Sequence, residues 1–201
     1  MRPEIETELQ RAVHYAERTE WQELYGMLAY HLGWEGEDAG PEAQGKRIRP
    51  LLVTLTTAAS GGEWQIALPA AVAVEFVHNF SLIHDDIEDA SSLRHGRATV
   101  WKLWGVAQAI NAGDALLTLA HISLLQMFET IGASSVIEAA RVLQNTCLKL
   151  TQGQYLDMSY ENRSDLALDA YWLMVSGKTA ALLEACTTLG AIVSNVDQNI
   201  L

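Results

Sequence analysis

Four acidic side chains within five positions, Asp85, Asp86, Glu88 and Asp89, are the group in this sequence best suited to chemistry. On a helix, Asp85 and Asp89 are four positions apart and share one face. Like charges at that spacing destabilise a helix, and acids near its C-terminus oppose its dipole. A hard cation such as Mg²⁺, which takes one or two carboxylates plus phosphate oxygens and water, reverses both penalties. The spacing therefore indicates a metal site with Asp85 and Asp89 as ligands; a solvated helix end is the alternative.

The residues before the acids favour the metal site. The run VEFVHNFSLIH, residues 74–84, is apolar and aromatic, with His78 and His84 embedded in it. Such a composition is typical of a buried helix. Carboxylates on a surface helix usually have lysine or arginine neighbours instead. We therefore expect these carboxylates to lie at the mouth of a buried cavity.

Basic residues gather in two short segments. One, GKRIRP, begins a predicted helix, and the other, LRHGR, follows the acids in a predicted loop. The helix dipole disfavours cations at a helix N-terminus, but guanidinium, ammonium and helix-end N–H groups all bind phosphate oxygens well. Together with a magnesium site, the two segments predict the binding of two phosphate-bearing ligands; an ordinary basic surface is the alternative. The side chains concerned are Lys46, Arg47 and Arg49 in the first segment, and Arg94, His95 and Arg97 in the second.

The composition excludes several classes of protein. Of the 201 residues, 49% are hydrophobic and 19% charged, which is typical of a globular chain. The formal net charge of −12 argues against nucleic acid or an anionic membrane as the main partner. The first residues are charged, unlike a secretory signal, and Glu75 and Glu184 interrupt two candidate apolar runs. Cys147 and Cys186 form no metal or redox motif, which fits the reduced interior of a cell. From these features together we predict a cytoplasmic protein without a transmembrane segment.

Helical periodicity extends along almost the whole chain. Apolar residues recur at intervals of three and four, and turn signals are too sparse for a many-stranded β fold. We predict a single all-α domain over 1–201, with the segment that ends in the acids at its centre, because the early part of that segment is apolar almost all round. The predicted helices are 3–32 (broken near Gly26), 49–59, 68–89, 107–131, 134–160 and 165–195, with breaks at Gly132 and at ENRSD, a linker at 33–45 and a loop at 90–98.

Six motifs follow one another along the chain: GKRIRP, VHNFSLIHDDIED, LRHGRAT, GDALL, GQYLDM and GKTAALLEA. In this order, from about residue 5 onward, the chain resembles the trans-polyprenyl diphosphate synthases. The resemblance implies an isoprenoid synthase-type bundle of long helices around a central cavity, assembled as a homodimer. It also implies Mg²⁺-dependent condensation of an allylic diphosphate with isopentenyl diphosphate, with release of pyrophosphate.

The resemblance assigns roles to individual positions. Asp85 and Asp89 match the metal ligands of the family's first aspartate-rich motif, with Asp86 beside them; together with Lys178 these are the expected catalytic residues. The resemblance implies that isopentenyl diphosphate is bound by Lys46, Arg49 and His78. It implies that the allylic diphosphate is bound by Arg94, Lys178 and Thr179. It also implies that the polar pair Gln154 and Asp157 lines the cavity. Taken alone, Gln154 or Thr179 would more often be a polar group satisfied within its own helix.

Two positions bear on the second substrate and on the product. The family usually has a second arginine, facing isopentenyl diphosphate, where this chain has His95. Three consequences are open: the site tolerates the histidine, it binds isopentenyl diphosphate more weakly, or it takes a different second substrate. Phe80 lies five positions before Asp85, where members that make short or medium chains often carry an aromatic residue. This favours a C15–C20 product, geranylgeranyl diphosphate by preference; a plain core role for Phe80 is the alternative.

The resemblance also predicts a second aspartate-rich motif, a few dozen residues beyond Lys178. The sequence stops at Leu201, with Asp197 standing alone. We therefore expect the N-terminal two-thirds of a longer enzyme, with little or no activity by itself. Two other functions stay open: a non-catalytic regulatory subunit of a heteromeric synthase, and a terpene cyclase on the same fold.

Overall fold

The computed structural model describes residues 1–194, with the backbone alone of Ala16. Within this range the chain forms a bundle of helices, which confirms the predicted all-α class. The helices are α1 (Arg2–Val13), α2 (Gln22–His31), α3 (Ile48–Ala59), α4 (Leu68–Glu88), α5 (Val100–Trp104), α6 (Val106–Leu125), α7 (Phe128–Tyr160), α8 (Leu168–Val175) and α9 (Ala181–Val193), and a two-stranded hairpin joins β1 (Leu93–Arg94) to β2 (Arg97–Ala98).

Helix α4 is the centre of the bundle, as its sequence predicts. Every residue over 70–77 is buried, and the helix packs against α1, α3, α6 and α9. A helix that is apolar on all sides must bury all of them, which is possible only when other helices surround it. Helix α4 therefore holds the acids at its C-terminal end, where Asp89 is the C-cap residue, against a rigid core.

One sequence prediction about this helix is wrong. By length and composition the segment Trp64–Glu88 is apolar enough to cross a membrane, although Glu75 had been taken to exclude it. The segment contains four acids, Glu75, Asp85, Asp86 and Glu88, but a window of 18 residues within it still has a mean hydropathy of 1.6. In the fold, 61% of the apolar window is buried inside the protein, as is usual for the core helix of a bundle.

The first predicted helix breaks at a different place from the one expected. Gly26 lies inside α2, where its neighbours Tyr25 and Met27 are buried. That burial outweighs the cost of about 1 kcal/mol that one glycine imposes on a helix. The break lies instead between α1 and α2, where the backbone at Glu17 and Arg18 is extended.

Later boundaries also differ from the prediction. The helix expected over 107–131 ends at Leu125, where α6 and α7 meet at an angle of 116°. The break at Gly132 is confirmed, since its φ of 77° is not helical. The helix expected over 165–195 begins at Leu168 and contains a π turn, Ser176–Ala180; its predicted last residue lies outside the described residues. The ENRSD segment separates α7 from α8, as predicted.

The predicted loop over 90–98 contains the β1–β2 hairpin. Leu93 pairs with Ala98 and Arg94 with Arg97, so the turn consists of His95 and Gly96. Both turn residues have positive φ, 51° and 81°, as tight two-residue hairpin turns require. The hairpin fixes the position of Arg94 and His95 after the end of α4.

Candidate active site

Two cavities adjoin at the C-terminal half of α4. The first has a volume of about 570 Å³ and is lined largely by basic and polar side chains. The second, of about 440 Å³, combines apolar walls with an acidic rim. Arg49, His78 and Leu82 line both cavities, so a ligand in one lies next to a ligand in the other.

The first cavity brings together most of the predicted phosphate ligands. It is lined by His78 and by all six side chains of the two basic segments: Lys46, Arg47, Arg49, Arg94, His95 and Arg97. They come from the start of α3, the middle of α4 and the hairpin, which are separate in sequence. The two predicted basic segments therefore do face one cavity.

Arg49 and His78 form a hydrogen-bonded pair between the cavities. The Arg49 Nη1 donates to His78 Nε2 at 3.1 Å, because a guanidinium has no acceptor. Burial and, after it, the positive charge of Arg49 lower the pKa of His78 to about 3. His78 is therefore a neutral imidazole, and Arg49 carries the charge of the pair.

Arg47, one of the six basic side chains in the two segments, has other partners. Arg47 is buried and ion-paired with Glu6 on α1 at 3.0 Å and with Glu75 on α4 at 2.9 Å. Its guanidinium also donates to the Leu32 carbonyl at 3.0 Å. Arg47 thus ties α1, α2 and α4 to the start of α3, and its charge is already neutralised by carboxylates.

Arg97 also has a structural role. It donates to the Tyr30 carbonyl at 2.9 Å and to the Glu35 carbonyl, and its guanidinium lies 4.1 Å from the centre of the Tyr30 ring. These contacts fasten the hairpin to the end of α2. Because carbonyls and a ring face are neutral partners, Arg97 still contributes positive potential to the first cavity, which it lines.

The acids at the end of α4 have cationic partners within the protein. Lys178 Nζ lies 3.1 Å from Asp85 Oδ1 and also binds Asp157. Burial opposes the charge of Lys178, but the hydrogen bonds that Lys178 donates to Asp157 and Asp85 outweigh burial and raise the pKa of Lys178. Lys178 is therefore a firmly charged ammonium at the rim of the second cavity.

Arg94 binds the second acid. Its Nε donates to both carboxylate oxygens of Asp86, at 3.0 and 3.1 Å, and its Nη2 reaches Asp85 at 3.5 Å. The Asp86 side chain is 3% exposed. Burial raises the pKa of Asp86, and the contacts with Arg94 act against that rise. Asp86 thus positions Arg94 on the wall of the first cavity, with its Nη2 toward Asp85, which lines the second. The contrast drawn from the sequence is therefore wrong, because these acids have cationic neighbours of their own, Arg94 and Lys178.

Asp89 differs from the other two aspartates. It is exposed, lines neither cavity, and forms no side-chain hydrogen bond within residues 1–194. Desolvation and the charge of Asp85 raise the pKa of Asp89. A cation between the two carboxylates would relieve that repulsion.

Two carboxylates are enough for magnesium, but not for a metal site made of protein side chains alone. Among the described residues no group of three or more His, Cys, Asp or Glu side chains is placed to hold a metal. Mg²⁺ commonly takes one or two carboxylates and completes its shell with phosphate oxygens and water. The pair Asp85 and Asp89 therefore fits Mg²⁺ bound together with a diphosphate.

A close approach of two glycines positions Lys178. A methyl group at Gly153 would lie 2.1 Å from the backbone nitrogen of Lys178, and one at Gly177 would lie 3.0 Å from the Gly153 Cα. Only glycine allows α7 and the π turn to come this close. The contact brings Lys178 within reach of Asp157, one turn further along α7.

The remaining predicted residues surround the second cavity. Thr179 and Gln154 line it, and Gln154 donates to Glu88 at 2.8 Å. Phe80 also lines it, with its ring edge-on to His84 at 5.5 Å between ring centres. The cavity is closed by the apolar side chains of Leu82, Leu150, Met158 and Leu182.

Sequence analysis missed several residues that line these cavities. Arg2 and His31 line the first cavity, and His84 and Tyr155 line the second. Of these only His84, inside the motif SLIHDD, carried a local signal. Arg2 is 44 positions from Lys46, and no spacing rule connects them.

Comparisons with known proteins agree with the motifs. A sequence model of the polyprenyl synthetase family matches residues 38–201. The (2E,6E)-farnesyl diphosphate synthase of Mycobacterium tuberculosis is 43% identical over 176 residues, which are 87% of this chain and 48% of that protein. The geranylgeranyl diphosphate synthase of the same organism is 42% identical over 188 residues, 92% of this chain and 53% of that protein. The chain spans about half the length of the curated relatives it matches.

Solved structures show the same likeness. The polyprenyl synthetase from Streptomyces coelicolor A3(2) superposes with a TM-score of 0.87 at 36% identity, over 98% of this chain and 57% of that one. The geranylgeranyl pyrophosphate synthetase from Pyrococcus horikoshii superposes with a TM-score of 0.86 at 32% identity, over 98% and 56%. These likenesses confirm the predicted isoprenoid synthase-type bundle.

Proposed function

The chain belongs to the polyprenyl synthetase family, and on that premise we propose that it condenses an allylic diphosphate with isopentenyl diphosphate. In this reaction the allylic C–O bond breaks, a C–C bond forms to the isopentenyl double bond, and the proton that is lost goes to the released pyrophosphate. One observation carries the proposal: two adjoining cavities, one basic and one with apolar walls, share Arg49 and His78.

The first cavity is the proposed site for isopentenyl diphosphate. Lys46 and Arg49 supply positive charge there, and His95 lies at its edge. His78, neutral and held by Arg49, separates the phosphate-binding part from the second cavity. Isopentenyl diphosphate bound by these groups would direct its alkene toward the wall that the two cavities share. The two substrates would then react from fixed positions instead of by chance encounter.

The second cavity is the proposed site for the allylic diphosphate. Mg²⁺ held by Asp85 and Asp89 would neutralise charge that builds on the leaving pyrophosphate. Lys178 and Thr179, which line this cavity, would bind the same diphosphate, and Arg94 would reach it from the first cavity beside Asp85. Asp157 orients Lys178, and Gln154 is held by Glu88 at the rim. The apolar walls keep water from the reactive allylic carbon.

We propose a C15–C20 product, with geranylgeranyl diphosphate preferred. Phe80, five positions before Asp85, supports this, because it lines the wall of the second cavity. The relatives named above make farnesyl and geranylgeranyl diphosphate according to their names.

Three further predictions belong with this function. We propose that residues 1–201 are the N-terminal part of one domain, that the protein forms a homodimer, and that it is cytoplasmic. A dimer is compatible with the exposed apolar side chains along α6 and α7, which include Leu125, Phe128, Ile137 and Leu148.

The test is an assay of isopentenyl diphosphate consumption by the protein expressed from its full reading frame, with Mg²⁺ and an allylic diphosphate. We expect a longer prenyl diphosphate and pyrophosphate, and we expect Asp85→Ala to abolish Mg²⁺-dependent binding of the allylic diphosphate. Ionisation of the allylic substrate without use of isopentenyl diphosphate would instead identify a terpene cyclase, a function against which Lys46, Arg49 and His78 argue. Activity only with a partner chain would identify a regulatory subunit.

A further inference from the structure

We propose that Arg2 is a further ligand of the diphosphate in the first cavity, and that it provides the guanidinium that His95 does not. The proposal rests on the proposed function, because it assigns Arg2 to the isopentenyl diphosphate site. Neither the motifs nor the resemblance points to Arg2; only its place in the fold does.

Arg2 is held beside a predicted ligand. It lies in the first turn of α1, lines the first cavity, and donates from Nη2 to the Gly45 carbonyl at 2.9 Å. Gly45 directly precedes Lys46, so this hydrogen bond places the guanidinium next to the start of the GKRIRP motif. A guanidinium has five N–H donors, and within residues 1–194 Arg2 uses one of them and forms no ion pair.

The charge in the first cavity makes such a cation useful. Arg47 is neutralised by two carboxylates, and Arg94 is bound to Asp86. Glu42 also lines the cavity, in a chain whose formal net charge is −12. The binding of a multiply charged diphosphate therefore depends on few cations, and Arg2 is one of them.

His95 explains why an additional guanidinium would be needed. It is exposed at the tip of the hairpin and lines the same cavity as Arg2. An imidazole has at most two N–H donors and cannot form the two parallel hydrogen bonds of an arginine fork. The resemblance implies an arginine at this position, so the site has one guanidinium fork fewer than the family usually has, and Arg2 supplies a guanidinium on the wall of the same cavity.

The first test is calorimetric titration of isopentenyl diphosphate into the protein expressed from its full reading frame and into its Arg2→Ala variant. We expect about tenfold weaker binding, the effect of one charge-assisted hydrogen bond. Affinity for the allylic diphosphate should not change, because Arg2 does not line the second cavity. Arg163→Ala removes an exposed arginine that lines neither cavity, and it should bind both substrates like the unmodified protein.

The second test measures whether Arg2 replaces an arginine at position 95. In a His95→Arg background, Arg2→Ala should weaken the binding of isopentenyl diphosphate no more than about threefold, because the arginine introduced at position 95 also binds the diphosphate. An equal loss in both backgrounds would overturn the compensation.

A Lys46→Ala variant separates failure of this inference from failure of the proposed function. If Lys46→Ala weakens isopentenyl diphosphate binding and Arg2→Ala behaves like Arg163→Ala, the role of Arg2 is wrong and the site stands. If neither Lys46→Ala nor Arg2→Ala has an effect, the first cavity is not the isopentenyl diphosphate site, and both proposals are overturned.

Discussion

Lys178 and Asp85, 93 positions apart in the chain, form an ion pair with Nζ 3.1 Å from Oδ1. The pair connects the π turn to the end of α4 across the rim of the second cavity. Asp157 holds Lys178 from the other side. A diphosphate arriving at this rim would meet a charged ammonium already in position, beside a carboxylate suited to Mg²⁺.

Replacement of Lys178 by alanine is therefore expected to reduce kcat/KM about 10- to 100-fold, the effect of losing one charge-assisted contact to the diphosphate. Steady-state assays with varied allylic diphosphate measure this. Lys149 is the matched control, because it forms an exposed pair with Glu184, and Lys149→Ala should change neither kcat nor KM. Equal activities of the two variants would remove Lys178 from the site.

Shortening the side chain at position 80 should lengthen the product. In Phe80→Ala a ring is lost from the wall of the second cavity, so a growing prenyl chain can extend further before it meets a wall. Chromatography of the products should show a shift by one or more five-carbon units. Trp21→Ala, at an exposed position just before α2 that lines neither cavity, should leave the product distribution unchanged. An unchanged distribution in Phe80→Ala would assign Phe80 to the core alone.

Two glycine substitutions should have opposite effects on stability. In Gly153→Ala the new methyl group would lie 2.1 Å from the Lys178 nitrogen, so we expect a loss of about 1–3 kcal/mol in the free energy of unfolding and reduced activity. In Gly26→Ala the nearest atom would be 3.9 Å away, within α2, so helix propensity should raise stability by about 0.5–1 kcal/mol. Denaturant unfolding measures both, and a stabilised Gly153→Ala would contradict the close contact of α7 with the π turn.

Loss of the buried cation at Arg47 should destabilise the fold severely. Arg47→Met leaves Glu75 buried without its partner, and breaking a buried ion pair in this way typically costs about 3–5 kcal/mol. The control is the exposed Arg163, which is paired with Asp165. The free energy of unfolding of Arg163→Met should lie within about 0.5 kcal/mol of that of the unmodified protein. A loss below about 1 kcal/mol for Arg47→Met would show that the network does not hold α3 in place.

Stability should fall as the pH is lowered below about 6.5, the ordinary histidine pKa. Burial, aided by nearby arginines, lowers the pKa of both His31 and His78 to about 3 in the folded protein. Between these pH values the unfolded chain binds protons that the folded chain does not, so each histidine contributes a loss of up to about 1.4 kcal/mol per pH unit. Unfolding measured at pH 7, 6 and 5 should show this slope, and it should be smaller in His78→Asn. The same slope in both proteins would contradict the neutral, buried imidazole.

The sequence by itself determined the helical class, the central position of α4 and the acids at its end. These properties follow from local chemistry: the period of the apolar residues, the apolar character of all faces of α4, and the four-residue spacing of Asp85 and Asp89. The order of six motifs was enough to identify the family. Most predicted site residues accordingly line one of the two cavities.

Only the tertiary structure decided what each cation does. Lys46, Arg47 and Arg49 are neighbours in sequence and all line the first cavity, yet within residues 1–194 only Arg47 is ion-paired, with Glu6 and Glu75. Arg2, which no motif marks, reaches that cavity because α1 packs beside the start of α3. A long side chain takes whichever partner the packing brings within reach, and the distance along the chain carries no information about that partner.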